Sequence, residues 1–145
     1  MTPQPGLPGG ASSGLVCREA LPPVAGERCE ALLLQAHYYR GQLVSDANAL
    51  FLRLAGDAWH RIFIEAGVVF WHTVDGLDSP DGDRHHYTVT DLGAAHGLIG
   101  RRLVDVSTAE LAGGGELRLR FEGDLRVSVR HVDGQSRVSV EAEPR

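Results

Sequence analysis

The sequence predicts an α+β fold that is mainly β, with seven or eight short antiparallel strands in a curled sheet or sandwich and one N-terminal helix packed on it. Three observations predict this class. Apolar residues alternate with charged ones through the last third of the chain, Gly-containing turns separate short apolar runs before it, and one stretch nearer the N-terminus has helical spacing.

Composition indicates a soluble globular protein. The 145 residues suit one domain, and 43% are hydrophobic and 23% charged. With 14 basic and 19 acidic residues the net charge is −5, so no nucleic-acid partner is expected. No apolar run approaches the roughly 18 residues of a membrane span, and the chain does not start with a signal-peptide pattern. We therefore predict a cytoplasmic, non-membrane protein with reduced thiols at Cys17 and Cys29, while export by another route leaves a disulfide between them open.

The N-terminal residues divide into an arm and the start of the domain. Residues 1–14 are rich in Pro and Gly and poor in apolar side chains, which predicts an arm that is flexible or orders only against a partner. A single globular domain is expected over residues 15–145.

A helix is predicted from Ala25 to Arg40. Cys29, Leu32, Leu33 and Ala36 follow the i, i+3, i+4, i+7 spacing of one helical face. We expect this helix to cover one face of the strands that follow it.

Three central strands are predicted at Leu50–Leu54, Ala58–Ile64 and Val68–Val74, because each is a short run of β-branched, aromatic and aliphatic residues bounded by a Gly-containing turn. Matching the apolar faces across each turn requires loops of three residues, 55–57 and 65–67. Both faces of these strands are then largely apolar, as in strands covered on two sides.

Weaker elements follow the polar loop from Asp75 to His86. Tyr87–Thr90 is expected to form a short strand, and Asp91–Gly97 at most a turn or two of helix, since Gly93 and Gly97 weaken it. Leu98–Val106 is predicted to be another strand.

The last third carries the clearest β pattern. Loop residues 122–124 place Phe121 opposite Leu125, whereas a two-residue loop would mix apolar and charged residues on each face. Asp133-Gly134 favours a two-residue type I′ turn that places Val129 opposite Val138. Turn chemistry and hydrophobic pattern agree here.

Arginine and tryptophan side chains form the first candidate site. The predicted register places Arg53 opposite Trp59 and Arg61 opposite Trp71, so guanidinium groups can lie on indole rings. Arg and Trp often anchor protein interfaces, which indicates a partner-binding patch. The alternative is that the predicted helix covers this face while the arginine heads reach water.

Histidines form an alternative site for a metal ion. The predicted register places His60 opposite His72, and His85 and His86 follow in the chain. Two opposed imidazoles can bind zinc if a third ligand is supplied, for instance by Asp81 or Asp83. No compact ligand motif supports this, and histidines bonded to backbone or water are the simpler interpretation.

Two further charged segments have structural explanations. Four aspartates lie between Asp75 and Asp83, but their spacing does not fit an EF-hand, and a solvated loop is favoured over a calcium site. The outward residues of the last strands form a basic strip that could receive an acidic partner or a nucleic-acid backbone, although a half-exposed sheet shows the same alternation. The strip consists of Arg118, Arg120, Arg126, Arg130 and Arg137, beside Glu116 and Glu141.

Catalytic motifs are lacking. The sequence contains no G-x-S-x-G elbow, Walker loop or Rossmann fingerprint. We therefore predict no enzymatic activity and no cofactor, with zinc as the alternative.

The segment LIGRRLV at Leu98–Val104, followed by the alternating residues Leu117–Val129, resembles a group of small β-rich bacterial proteins. In that group a leucine–glycine–valine strand precedes a hairpin of the form LxLxF–G–LxV. The resemblance covers residues 50–140, and some members of the group are similar to immunity proteins of toxin systems. It implies a protein that neutralises a partner by binding it, and it supplies no catalytic residues.

Three functions follow from these observations. The first is a non-enzymatic protein-binding module of the immunity type, acting through Arg53, Trp59, Arg61 and Trp71. The second is a metal- or small-ligand-binding β protein that uses the histidines. The third is an accessory subunit of a larger assembly, with the N-terminal arm ordered on a neighbour.

Overall fold

The computed structural model describes residues 16–17 by their backbone, and residues 21–56, 58–77, 82 and 84–142 in full. The described residues form ten strands and one short helix: β1 (Val16–Cys17), β2 (Cys29–Tyr39), β3 (Gln42–Leu54), β4 (Trp59–Glu65), β5 (Val68–Val74), β6 (His85–Asp91), α1 (Leu92–Ala95), β7 (Leu103–Leu111), β8 (Gly114–Phe121), β9 (Leu125–Val132) and β10 (Gln135–Ala142). A mainly antiparallel β fold is confirmed, whereas the α+β class with a packed N-terminal helix is wrong. The predicted arm, residues 1–14, lies outside the described residues.

The strands form two sheets around one hydrophobic core. The six-stranded sheet has the order β1-β5-β4-β3-β2-β6, and the four-stranded sheet has the order β10-β9-β8-β7. Leu32, Leu52 and Ile62 of the first sheet are buried with Leu119 and Val127 of the second. We call the side of each sheet that faces this core its inner face and the other side its outer face.

The segment predicted as a helix from Ala25 to Arg40 is instead β2, with β3 on one side and β6 on the other. A β-bulge explains the error. The ladder with β3 shifts between Cys29 and Ala31, so Glu30 is an extra residue. The bulge returns Leu32 to the side of Cys29, and both are buried in the core. A spacing of three along a bulged strand thus imitates the spacing of a helix.

The hairpin of β4 and β5 turns through two residues, Ala66-Gly67, and not through the predicted three. Both residues have left-handed φ angles, 51° and 76°, as a type I′ turn requires. Glu65 is therefore opposite Val68, and the predicted register of this hairpin is wrong by one residue.

The other predicted hairpin registers are confirmed. The β3–β4 hairpin has Arg53 opposite Trp59. The β8–β9 hairpin has Phe121 opposite Leu125 across its three-residue loop. In the β9–β10 hairpin, Asp133 and Gly134 have φ angles of 52° and 79°, and Val129 is opposite Val138 as expected.

The segment between the hairpins is close to its prediction. The strand expected at Tyr87–Thr90 lies within β6. Asp91 caps the N-terminus of α1, and its Oδ1 accepts a hydrogen bond from Ala94 N at 2.9 Å. The strand expected from Leu98 begins later, at Leu103. In the part of the chain that the structure describes, no helix is long and apolar enough to cross a membrane.

Backbone hydrogen bonds join the two sheets where β2 and β7 begin. Gly26 N donates to Leu103 O, Leu103 N donates to Glu27 O, and Cys29 N donates to Arg101 O. Cys29 is a free thiol that is fully buried at this seam.

Candidate functional site

The outer face of the six-stranded sheet brings aromatic and arginine side chains together on β3, β4 and β5. Residues two apart in a strand share a face, and residues opposite each other in neighbouring strands share a face as well. The observed register defines one group, which we call the aromatic–arginine face: Arg53, Trp59, Arg61, Phe63, Phe70 and His72. Arg53 is exposed and the other five side chains are half-buried. Phe51, opposite Arg61, lies on the same face but is fully buried.

Two phenylalanine rings form the centre of the aromatic–arginine face. The rings of Phe63 and Phe70 stack with their centroids 4.8 Å apart and their planes 9° apart. Cζ of Arg61 lies 4.6 Å from the centroid of the Phe63 ring, within the range of a cation–π interaction. The ring of His72 lies 6.1 Å from that of Phe70. The result is a flat, half-exposed aromatic surface with a guanidinium group at its border.

Arg53 and Trp59 extend this face toward the start of β4. Nε of Arg53 lies 3.6 Å from Oε1 of Glu30, the extra residue of the β2 bulge, and the two side chains are 51% and 45% exposed. An ion pair this exposed contributes at most about 1 kcal/mol. Arg53 can therefore exchange Glu30 for a carboxylate of another protein at little cost.

Trp71, predicted to lie on this face, lies on the opposite one. The two-residue turn shifts β5 by one residue, so Trp71 is opposite Ile62 and packs against the core. Its indole N–H donates a hydrogen bond of 2.9 Å to Nδ1 of His60. His60 is itself buried, with 4% of its surface exposed. The predicted pairing of Arg61 with Trp71 is therefore wrong.

The four histidines considered as zinc ligands do not converge. His60 is on the inner face and His72 on the outer face, so the predicted pair between them is wrong. His85 and His86 lie on β6, separated from β4 by β3 and β2. Within the described residues, no group of three or more His, Cys, Asp or Glu side chains could hold a metal ion.

A histidine contact that the sequence did not indicate joins β2 to β6. Nε2 of His37 and Nδ1 of His85 are 2.9 Å apart. The ring of Tyr87 stacks on His37 with centroids 4.9 Å apart, and Tyr39 lies 5.0 Å from His85. Sequence reasoning placed His37 in a helix and gave it no role. As a strand, its alternation with Tyr39 would have matched that of His85 with Tyr87.

The predicted arginine strip lies on the outer face of the four-stranded sheet, as a network of ion pairs. Glu116 is on this outer face yet only 1% exposed, because Nε of Arg118 and Nε of Arg130 both donate to its carboxylate. Arg130 and Arg126 also reach Glu141, at 3.5 and 3.9 Å. Burial raises the pKa of Glu116, but the hydrogen bonds and charges of Arg130 and Arg118 outweigh burial and hold this pKa below its usual value.

A groove of about 820 Å³ opens where β3 and β4 separate. β3 pairs with β4 over Leu50–Arg53, and residues 43–48 of β3 line the groove together with the end of β4 and the β9–β10 turn. Arg61 and Phe63 border the groove as well, so the groove adjoins the aromatic–arginine face.

The aspartate-rich loop falls mostly outside the described residues. Asp75 is exposed at the end of β5, whereas Asp78, Asp81 and Asp83 are among the residues the structure does not describe. The calcium site and the solvated loop both stay predictions.

The fold and this face define a two-sheet, mainly antiparallel β protein with an aromatic–arginine surface on one outer side. No family model matches the chain, and neither the curated proteins nor the solved structures give a match. The resemblance to immunity-type proteins therefore stays a prediction.

Proposed function

We propose that the protein is a non-enzymatic binding protein that holds a partner protein on its aromatic–arginine face. One observation carries this proposal: the Phe63–Phe70 stack, bordered by the Arg61 guanidinium, lies half-buried on a sheet face turned away from the core. The solvated face of an antiparallel sheet is normally polar. Aromatic and arginine side chains, by contrast, are the residues that anchor protein interfaces.

The shape of the surface favours a protein over a small molecule. Stacked rings on a sheet form a flat platform, whereas small-molecule sites are enclosed and mostly apolar. The neighbouring groove adds exposed apolar side chains, Leu43 at 53% and Val44 at 58% exposure. Exposed apolar side chains beside an aromatic surface add to the area that a protein partner can cover.

The proposal includes the immunity-type role that the resemblance implies. The partner is then a toxin protein whose active surface is covered by this face, and Arg53 and Arg61 pair with its carboxylates. Binding alone neutralises such a partner, so no catalytic group is required. We also place this activity in the cytoplasm, where a reduced thiol such as Cys29 is stable.

The test compares variants in the capture and affinity of a single partner. Tagged wild-type protein is used to capture a partner from its native cell extract, and the partner is then purified for titration calorimetry. We expect Phe70→Ala and Arg61→Ala to weaken binding at least about tenfold each, as for central interface anchors. Near-UV circular dichroism verifies that the variants are folded.

Val104→Ala is the matched control, because Val104 is an apolar residue of the other sheet with 42% exposure. It should bind the partner like the wild type. Retention of full affinity by both Phe70→Ala and Arg61→Ala, in folded protein, would overturn the proposal. So would equal loss in Val104→Ala.

A further inference from the structure

The groove between β3 and β4 lies beside an irregular part of β3. Between the pairs Ser45–His37 and Ala49–Gln35, three residues of β3 correspond to one residue of β2. Extra residues of this kind bend a strand away from its regular course. The ladder that joins β3 to β4 extends only to Leu50 on β3, and the β9–β10 turn lines a third side of the groove.

Several neutral polar side chains that line the groove already have partners within the protein. Nδ1 of His131 and Oγ of Ser136 lie 2.9 Å apart. The amide nitrogen of Asn48 donates to the amide oxygen of Gln35. These groups are satisfied in the folded chain and require no ligand.

The charged side chains that line the groove differ in this respect. Arg61 and Glu65 lie on β4, Asp46 lies on β3 and Arg137 lies on β10. Among the residues that the structure describes, none of these four forms an ion pair. The groove therefore offers two cations and two anions to a ligand.

The signs and the spacing of these charges define the class of ligand. A nucleotide or another polyanion would meet Asp46 and Glu65 with charge of the same sign. Arg61 and Glu65 are four residues apart on one strand, which corresponds to a backbone distance of roughly 13 Å. A free amino acid cannot bridge this distance, because its ammonium and carboxylate groups are attached to the same carbon. An extended peptide rises by the same distance per residue as a strand and bridges it with five residues.

Side-chain alternation along β4 adds a pattern to this length. Arg61, Phe63 and Glu65 are two residues apart in turn, so they share one face of β4. They offer a cation, an aromatic ring and an anion in that order. An extended peptide beside β4 matches them with an acidic, an apolar and a basic residue at alternate positions. Leu43 and Val44, 53% and 58% exposed, provide further apolar contact from β3.

We propose that this groove binds an extended peptide segment with an acidic and a basic residue four positions apart and an apolar residue midway between them. The inference deepens the proposed function and rests on it for the source of the segment, which is the partner protein held on the aromatic–arginine face. Arg61 and Phe63 belong to both surfaces, so a partner on that face can continue into the groove.

Synthetic peptides test the groove without the partner. The probes are acetylated and amidated pentapeptides, so that only side chains carry charge: Glu-Thr-Leu-Thr-Arg, its reverse Arg-Thr-Leu-Thr-Glu, and the uniform controls Glu-Thr-Leu-Thr-Glu and Arg-Thr-Leu-Thr-Arg. Each is titrated into isotope-labelled full chain at low salt, where exposed ion pairs are least screened. Amide chemical shifts report the affinity and the location of binding.

We expect at least one of the two mixed-charge peptides to bind at least about threefold more tightly than both uniform peptides. The amides that shift should belong to residues 43–48, 61–65 and 134–137. Glu65→Arg gives β4 two cations in the groove, so the peptide with two Glu should then become the tightest ligand. Glu110→Arg is the matched control, because Glu110 is exposed on β7 and outside the groove. It changes the net charge equally and should keep the wild-type order of affinities.

Three results would overturn the peptide groove: no shift of the groove amides with any peptide at millimolar concentration, shifts confined to other surfaces, or the same change of preference in Glu110→Arg as in Glu65→Arg. Phe70 does not line the groove, so Phe70→Ala should bind the peptides like the wild type. Failure of the peptides with loss of the partner in Phe70→Ala would overturn the groove alone. Peptide binding with full partner affinity in both Phe70→Ala and Arg61→Ala would instead overturn the function proposed for the aromatic–arginine face.

Discussion

The indole N–H of Trp71 donates to Nδ1 of His60 over 2.9 Å, on the core side of the six-stranded sheet. Because Nδ1 accepts, the proton of the neutral imidazole is on Nε2. The two rings meet edge to face, with centroids 5.8 Å apart and planes at 72°. A polar pair thus lies between apolar strands, with His60 buried and Trp71 half-buried.

Replacing Trp71 should therefore cost stability, while replacing Trp59 should not. Trp71→Phe keeps an aromatic ring but leaves the His60 acceptor without this donor, which costs about 1–2 kcal/mol. Trp59→Phe removes an indole from the half-buried outer face, and we expect a change within about 0.5 kcal/mol. Urea unfolding followed by circular dichroism measures both. Equal losses for the two variants would contradict the placement of these side chains on opposite faces.

The turn between β4 and β5 holds an alanine in a conformation that L-residues avoid. Ala66 has a φ of 51°, which costs about 1–2 kcal/mol relative to Gly, and it is exposed. We expect Ala66→Gly and Ala66→Asn to raise the free energy of unfolding by about 0.5–1 kcal/mol, since Asn-Gly is a preferred type I′ pair. The control is Ala55→Gly, at an exposed turn position without a positive φ. It should lower stability, and a gain at both positions would point to a general effect of added Gly.

Turn chemistry decided how much of the fold could be predicted. Asp133-Gly134 has the residues a type I′ turn favours, so its register followed directly from the sequence. Ala66-Gly67 has the same conformation, but Ala is an unfavourable residue for it, and the three-residue alternative looked better. β2 was predicted as a helix for a different reason. Its bulge at Glu30 depends on pairing with β3, and a contact distant in the sequence leaves no local signal.

Strand register also explains why only part of the candidate site could be predicted. Arg53, Trp59 and Arg61 were placed on one face correctly, because the β3–β4 register was correct. In β5 a slip of one residue exchanges the two faces, so Trp71 was expected where Phe70 and His72 are found. The residue types suggested an interface, whereas the register decided which of them belong to it.

The thiol of Cys29 should be unreactive in the native protein. Burial is the main cause that raises the pKa of this thiol to about 11, so about one molecule in a thousand carries a thiolate at pH 8. In a Cys17→Ser variant, Cys29 is the remaining thiol of the chain. Its reaction with Ellman's reagent at pH 8 should be slow in buffer and complete within seconds to minutes in urea. Rapid reaction of the folded protein would show that the seam between β2 and β7 opens readily.

Glu116 should make the stability of the protein sensitive to acid. Its carboxylate is buried and bound by Arg118 and Arg130, which hold its pKa below the ordinary value of 4.5. A carboxyl group whose pKa is lower in the folded state stabilises the fold above the unfolded-state pKa. That contribution is lost as the pH falls below 4.5 through the folded-state value.

Glu116→Gln removes this charge and separates its effect from that of the other acids. At pH 7 the variant should be less stable by about 1–3 kcal/mol, less than for a fully enclosed ion pair, because the two arginines are 38% and 44% exposed and keep access to water. The difference from wild type should shrink toward zero at a pH below the lowered folded-state pKa, where Glu116 is protonated in both states. Glu141→Gln is the matched control, since Glu141 contacts the same Arg130 but is 42% exposed. It should change stability little at either pH. A Glu116→Gln deficit that persists unchanged at that low pH would show that the side chain stabilises the sheet by packing and not by its charge.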